Sequence, residues 1–190
     1  MTANEIRQKS LILFVEKGYE GTSLADIGEA VGIKKQSVYS HFKSKDDIFL
    51  QVMKQVIQEE ISFLNDFFNS HKSDQLYLTL YQFVSQFKER YLSEKEMNPK
   101  FMLKMMFIPP NHLQQTTITS FWSYFCKMEE LLSEVFEEHK DELDVSPEEA
   151  LISFLNFIDG LLVELIYVNV EKFEQRLKVS WKIYWKGITK

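Results

Sequence analysis

The sequence predicts an all-α protein of about nine helices, with a small N-terminal three-helix head on a larger C-terminal helical bundle. Two observations carry that expectation. Apolar residues recur at helical spacing almost throughout, and no stretch alternates with the period of a strand. Helix-start signals punctuate the chain: Ser23 with Asp26, Ser44 with Asp47, and the run Ser146-Pro147-Glu148-Glu149. Each places a side-chain acceptor three residues before an acid that can answer it, and the last adds proline at the first helical position.

Ile6, Ser10, Leu13 and Phe14 give the first helix a buried face, and Gly18 ends it. Thr22 or Ser23 caps the second helix. Gly28, Gly32 and Val38 then supply a small residue facing a partner helix, a turn glycine and an apolar anchor, at spacings of four and six. Ile27, Val31 and Ile33 fill the space between the two helices. The helix that follows presents Lys34, Lys35, Gln36, Ser37, Tyr39, Ser40 and His41, a run of donors no apolar core would accept. That arrangement is a helix-turn-helix, whose second helix fits a DNA major groove.

Beyond it, a helix over about 46–69 carries Ile48, Val52, Val56, Phe63 and Phe67 and connects head to body. The polar break Ser70-His71-Lys72-Ser73 precedes a helix with Leu76, Leu80, Phe83, Val84, Phe87 and Tyr91 on one face. Asn98-Pro99 opens a short helix that Pro109-Pro110 stops. A long helix from about Leu113 holds Phe121, Trp122, Phe125, Leu132 and Phe136. The last two helices span about 147–169 and 171–187. Both carry more apolar residues than one packing face needs, so a symmetric dimer through them is expected, with Gly160, Glu164, Leu177, Trp181 and Tyr184 at its interface. The alternative is that all of these are intrachain core.

Charge supports the division of labour. The 190 residues carry a net −6, yet residues 31–45 hold four lysines and no acid. The whole deficit lies beyond residue 50, so the positive surface sits where phosphate would be met. The one cysteine, Cys126, precludes an intrachain disulfide and reads as a small buried hydrophobe. The N-terminus is polar, and Leu151–Val168 is interrupted by Ser153, Asn156, Asp159, Gly160 and Glu164, which makes it a poor membrane span. A cytoplasmic protein without membrane partners is expected. Four scattered histidines, with no HExxH, paired Cys ligands or Gly-rich phosphate loop, point to no catalytic residues, no metal and no cofactor.

Gly18-Tyr19, Thr22-Ser23, Ile27, Gly32-Ile33, Ser37-Val38-Tyr39, His41-Phe42 and Lys45 together resemble the signature of the tetracycline-repressor (TetR) family of bacterial regulators. The resemblance covers roughly residues 6 to 50; beyond them only length and helical layout match. Ser10 and Gly28 stand where the family usually has alanine, and Lys34 where it often has an N-capping serine. The resemblance implies a head over 1–45, an effector-binding and dimerisation domain over 46–190, and a homodimer on a near-palindromic double-stranded DNA operator. It also implies a small effector that releases the DNA, and repression as the outcome.

Tyr39 and Lys45 match family positions that contact phosphates, and Thr22, Ser23, Lys34 and Lys43 are further backbone candidates. Lys35, Gln36 and Ser37 are the base-reading candidates, with His41 open between a DNA contact and a structural hydrogen bond. A pocket for a lipophilic effector lined by Tyr81, Phe101, Met105, Trp122, Phe125, Asn156 and Asp159 is expected, with the Asp159 carboxylate either meeting a cationic ligand or a lysine, or facing solvent or the dimer partner. The competing reading is a DNA-binding regulator without a small effector, controlled by a protein partner or organising DNA.

Overall fold

The computed structural model describes residues Thr2 to Lys190. Among them the helices, in order, are α1 (Ala3–Lys17), α2 (Leu24–Ala30), α3 (Lys35–Val38), α4 (Lys45–Ser70), α5 (Leu76–Leu92), α6 (Asn98–Phe107), α7 (Gln114–Glu138), α8 (Pro147–Tyr167) and α9 (Val170–Ile188). Two single 3-10 turns, Asn111–Leu113 and Lys140–Glu142, flank α7. Among the described residues the only extended pairing is an antiparallel bridge between Leu143 and Thr189. The helix count and order follow the sequence expectation.

The chain divides into two compact units, one built from the residues up to Glu60 with Tyr91–Ser123, the other from Ile61–Arg90 with Tyr124–Lys190. In the first, Phe14 packs edge-on to Phe49 at 5.5 Å, and Phe49 meets Phe101 at 5.7 Å. Ile6, Ile27, Ile48, Val52, Met53 and Val56 complete that core. Lys104 of α6 donates to the Val15 carbonyl at 2.7 Å, satisfying one of the carbonyls that the end of α1 leaves open.

In the second unit α8 and α9 pack along each other. Phe154, Leu161, Leu165, Phe173, Leu177 and Trp181 are buried between them and their neighbours. Ser146 and Glu149 form the capping box at α8, with Pro147 just inside. By length and composition α8 is apolar enough to cross a membrane, with mean hydropathy 1.7. Within the unit it behaves as a core helix: Ala150, Phe154, Ile158, Leu161 and Leu165 face inward, and its buried Glu164 pairs with Arg176 of α9.

Several expectations fail because the helices turn a different side inward. Cys126 is exposed, since α7 buries Phe121, Tyr124, Leu131, Leu132 and Phe136, and position 126 falls on the opposite side. Trp122 is 67% exposed for the same reason. Leu177 and Trp181 are buried within the protomer, and the Tyr184 hydroxyl donates to the Ala150 carbonyl at 3.2 Å. Burial pushes that phenol's pKa up. Glu164 is likewise held inside, by Arg176. These four side chains therefore leave little surface for a partner. Gly160 alone of the proposed interface set stays exposed, with open space where a Cβ would stand.

Ser10 and Gly28 respond oppositely to alanine. Ser10 is fully buried and its hydroxyl finds no partner. A Cβ on Gly28 would come within 2.7 Å of the Ile33 carbonyl oxygen, a backbone atom that cannot swing away. Ser10→Ala should stabilise the protein by about 1 kcal/mol, because it deletes an unsatisfied buried hydroxyl. Gly28→Ala should destabilise it by about 1–3 kcal/mol through overpacking, despite a helix-propensity gain of roughly 0.5–1 kcal/mol. Urea unfolding of the two variants beside the parent checks both signs.

Candidate nucleic-acid interface

Two capping boxes set the frame of the head. The Glu5 amide donates to the Thr2 hydroxyl at 3.3 Å, and the Thr2 amide returns to the Glu5 carboxylate at 2.6 Å, fixing the start of α1. At α2 the Asp26 amide donates to Ser23 Oγ at 3.1 Å, and the Ser23 amide donates to Asp26 Oδ2 at 2.8 Å. The serine contacts hold the Asp26 carboxyl down at a pKa of about 2, with Lys17 adding to the effect from 3.3 Å. Thr22 does not cap. It is buried, and its hydroxyl donates to the Gly18 carbonyl at 2.8 Å, which removes it from the proposed phosphate-contacting surface and leaves Ser23 there.

Backbone contacts alone make the turn between α2 and α3. Gly32 takes φ +73°, a region that glycine enters without steric cost, and the Ile33 amide donates to the Gly28 carbonyl at 2.9 Å. The close approach explains why residue 28 carries no side chain. Lys34 occupies the cap position of α3 and makes no side-chain capping bond. The helix spans only Lys35–Val38, shorter than the 34–41 run that the sequence suggests. It continues as hydrogen-bonded turns, His41 N to Val38 O at 3.0 Å and Phe42 N to Val38 O at 3.1 Å.

Val38 and Phe42 are buried and anchor this segment from below. Lys34, Lys35, Gln36, Ser37, Tyr39, Ser40, His41 and Lys43 are all exposed, Tyr39 at 51%. One continuous surface therefore gathers three ammonium groups, an amide, hydroxyls and an imidazole, with no acid between Val31 and Lys45. His41 touches its neighbour Phe42 at 6.5 Å between ring centroids and otherwise points to solvent. Lys43 is positioned through its backbone. Its amide donates to Asp47 Oδ2 at 2.8 Å, and that bond draws the Asp47 carboxyl below its ordinary range, with Gln51 reinforcing it.

Lys45 is placed differently from the expectation. Its ammonium donates to the Tyr19 carbonyl at 2.8 Å and lies 3.9 Å above the Tyr19 ring centroid. It ties the start of α4 to the α1–α2 turn, and its charge is partly committed there. Tyr19 in turn donates its hydroxyl to Asp46, and His112 Nε2 stands 3.3 Å from the same carboxylate. His112 comes from the 3-10 turn before α7 and was one of four scattered histidines in the sequence; a separation of 66 residues from Asp46 left no local signal for the pairing.

The residues expected to line an effector pocket are distributed over both units. Tyr81, Phe125, Asn156 and Asp159 belong to one unit, and Phe101, Met105 and Trp122 to the other. Phe101 is plain core. Asn156 bonds back to the Ile152 carbonyl of its own helix at 3.1 Å. Asp159 lies on the exposed side of α8, its carboxyl raised by partial desolvation. Neither acts as a counter-charge inside a cavity, so the cationic ligand loses its support. Among the described residues, no group of three His, Cys, Asp or Glu side chains is placed to hold a metal ion.

Residues 6–52 match the sequence pattern of the family described as bacterial regulatory proteins, tetR family. Over 91 residues the chain is 38% identical to the biofilm operon icaADBC HTH-type negative transcriptional regulator IcaR of Staphylococcus aureus (strain Newman), 47% of this chain and 49% of that protein. The chain thus spans about half the length of the curated relatives it matches. Its fold is similar to that of a TetR-family transcriptional regulator from Agrobacterium tumefaciens, with TM-score 0.73 at 18% identity over 99% of this chain and 97% of that one. It is also similar to the regulator FadR of Bacillus subtilis, solved in complex with stearoyl-CoA, with TM-score 0.66 at 16% identity over 98% and 100% of the two chains.

The Asp46 node makes a pH prediction. The Tyr19 hydroxyl, then His112, hold the Asp46 carboxyl below its ordinary value. Stability from this group is therefore present at neutral pH and lost as pH falls from about 4 downward. Asp46→Asn should lower the urea midpoint at neutral pH, and its midpoint should fall less steeply than the parent's on acidification. Identical slopes for the two proteins between neutral pH and the acid limb would contradict the assignment.

Proposed function

We propose that the chain is a DNA-binding transcriptional repressor of the tetR type that reads its operator as a dimer, a reading supported by the match of residues 6–52 to that family and by the likeness to IcaR. The observation that carries the reading is the surface over Lys34–Lys43: exposed donors and cations held rigidly on buried Val38 and Phe42. Tyr39, Ser23, Lys34 and Lys43 take phosphates and fix the register, while Lys35, Gln36 and Ser37 read base edges in the major groove. Lys45 serves mainly to position the α1–α2 turn. The similarity to transcriptional regulators favours this reading over an enzymatic one.

Dimerisation through α8 and α9 keeps its support, on a different residue set. Ile152, Gly160, Tyr167, Val179, Ile183 and Gly187 are exposed and mostly apolar, along the outer side of the helix pair. A symmetric pairing of that stripe would bury it and set two heads to read half-sites about 34–36 Å apart, so the operator is a near-palindrome. Release by a small lipophilic effector is supported by the family and by the acyl-CoA bound to the Bacillus subtilis relative. By linkage, such an effector weakens DNA binding by the factor that DNA weakens effector binding.

Selection of bound sites from random DNA tests the reading. A two-fold symmetric motif should emerge with the parent and vanish with the Lys35→Ala, Ser37→Ala, Tyr39→Ala variant. Enrichment of a motif indifferent to those changes would sink the assignment. On the selected site, Lys43→Ala should weaken binding and reduce the slope of log affinity against log salt by about 2, one phosphate per protomer. Ile183→Glu should convert the dimer to monomer in sedimentation, whereas an unchanged dimer would move the interface elsewhere.

A further inference from the structure

On the second unit, α5 and α9 enclose an open groove of about 670 Å³ lined by Tyr77, Tyr81, Trp181 and Trp185, with Lys178, Lys182 and Lys186 along its edge. The four rings form one array. Tyr77 meets Trp181 at 5.4 Å and Trp185 at 5.0 Å, both edge-on, and Tyr81 meets Trp181 at 5.2 Å. The volume falls within the range of small-molecule sites, and the floor has their usual mixture of aromatic surface with a few charged groups.

The charges decide what the groove takes. Lys178, Lys182 and Lys186 recur every four residues, so they stand on one side of α9, roughly 6 Å apart along its axis. None of the three is paired with a carboxylate among the described residues. The one acid in the lining, Glu174, is engaged by Lys88. An aromatic array alone would suit an organic cation, but three free ammonium groups beside it oppose one and favour an anion. The groove is also distinct from the apolar stripe proposed for dimerisation. None of Val179, Ile183 and Gly187 lines the groove, although at 3.6 residues per turn their line adjoins that of the lysines and Lys186 stands one turn from Ile183 at its margin.

We propose that this groove is a binding site for an aromatic organic anion, its flat body on the Tyr77, Tyr81 and Trp185 rings, with buried Trp181 packed behind them, and its carboxylate, sulfonate or phosphate on the three lysines. This deepens the effector part of the functional reading by giving it a site and a chemical class, but binding here does not require DNA. A measurement on the protein alone therefore separates failure of this site from failure of operator reading.

The test uses the full chain and two fluorescent probes, anilinonaphthalenesulfonate and its uncharged counterpart phenylnaphthylamine, followed by energy transfer from tryptophan. Two of the three tryptophans lie in the groove, so bound probe should quench the protein emission. Replacing Lys178, Lys182 and Lys186 together by Gln should raise the dissociation constant of the sulfonate by on the order of tenfold, as expected for three partly exposed charge contacts. It should leave phenylnaphthylamine nearly unchanged, and all three positions are exposed, so the fold is expected to survive, which circular dichroism confirms. Trp185→Leu should weaken both probes. Sulfonate binding that is equal in the triple variant and the parent would overturn the proposal. So would tighter binding of the aromatic cation ethidium than of the sulfonate.

Discussion

The contact on which the head depends is backbone against backbone: the Gly28 carbonyl accepting from the Ile33 amide, with no side chain at 28 to hold the strands of the turn apart. A helix of four residues cannot sustain itself, since a single turn fixes several residues for one hydrogen bond. Lys34 supplies no cap that would compensate. The donor-bearing surface is therefore held from outside, by the Gly28–Ile33 approach at one end and by buried Val38 and Phe42 beneath it. Addition of a single carbon at residue 28 would act on the presentation of residues six or more positions later, through geometry alone.

A second set of contacts fixes the α1–α2 turn to the start of α4. Lys45 donates to the Tyr19 carbonyl, Tyr19 donates to Asp46, and His112 stands beside the same carboxylate. Each group satisfies another, and the Tyr19 ring fills the space between Phe14 and Phe49. Asp46 and His112 remain about half exposed, so water can replace a lost partner there, and the buried part of the set is the Tyr19 ring. The phosphate role expected of Lys45 gives way to this one, since one ammonium with a carbonyl and an aromatic face already in contact has less to offer a third partner.

Helix number, order and starts were legible in the sequence because they depend on short-range information. Ser23 with Asp26 and Ser146 with Glu149 are boxes closed within three residues, and Gly32 is a turn signal in itself. What failed depended on rotation of a helix about its axis or on distant pairing. Trp122 and Phe121 are adjacent in sequence, yet one is exposed and the other buried. Thr22 and Ser23 were equivalent as caps on paper; the Gly18 carbonyl took the Thr22 hydroxyl. The exposed run of donors and cations was legible residue by residue, whereas the burial of Thr22 and the contact of Lys45 with Tyr19 were not. The effector pocket was not, because aromatic and methionine stripes at helical spacing describe a core and a cavity equally well.

Helix α9 shows how one periodic sequence supports several surfaces. Phe173, Leu177, Trp181 and Ile188 face the unit's interior, and Val179 and Ile183 form an outward apolar line. Lys178, Lys182 and Lys186 recur every four residues on a third side, beside Trp185. A step of four residues overshoots a full turn by about 40°, so the lysine line and the apolar line run side by side and drift together around the helix. The outward apolar line is costly to leave in water, and the lysine line is costly to bury. The same helix therefore has one side suited to a second copy of the chain and another that must remain wet. A ligand lodged on the wet side would touch Trp181, which also belongs to the core against α8 through Phe157 and Tyr184.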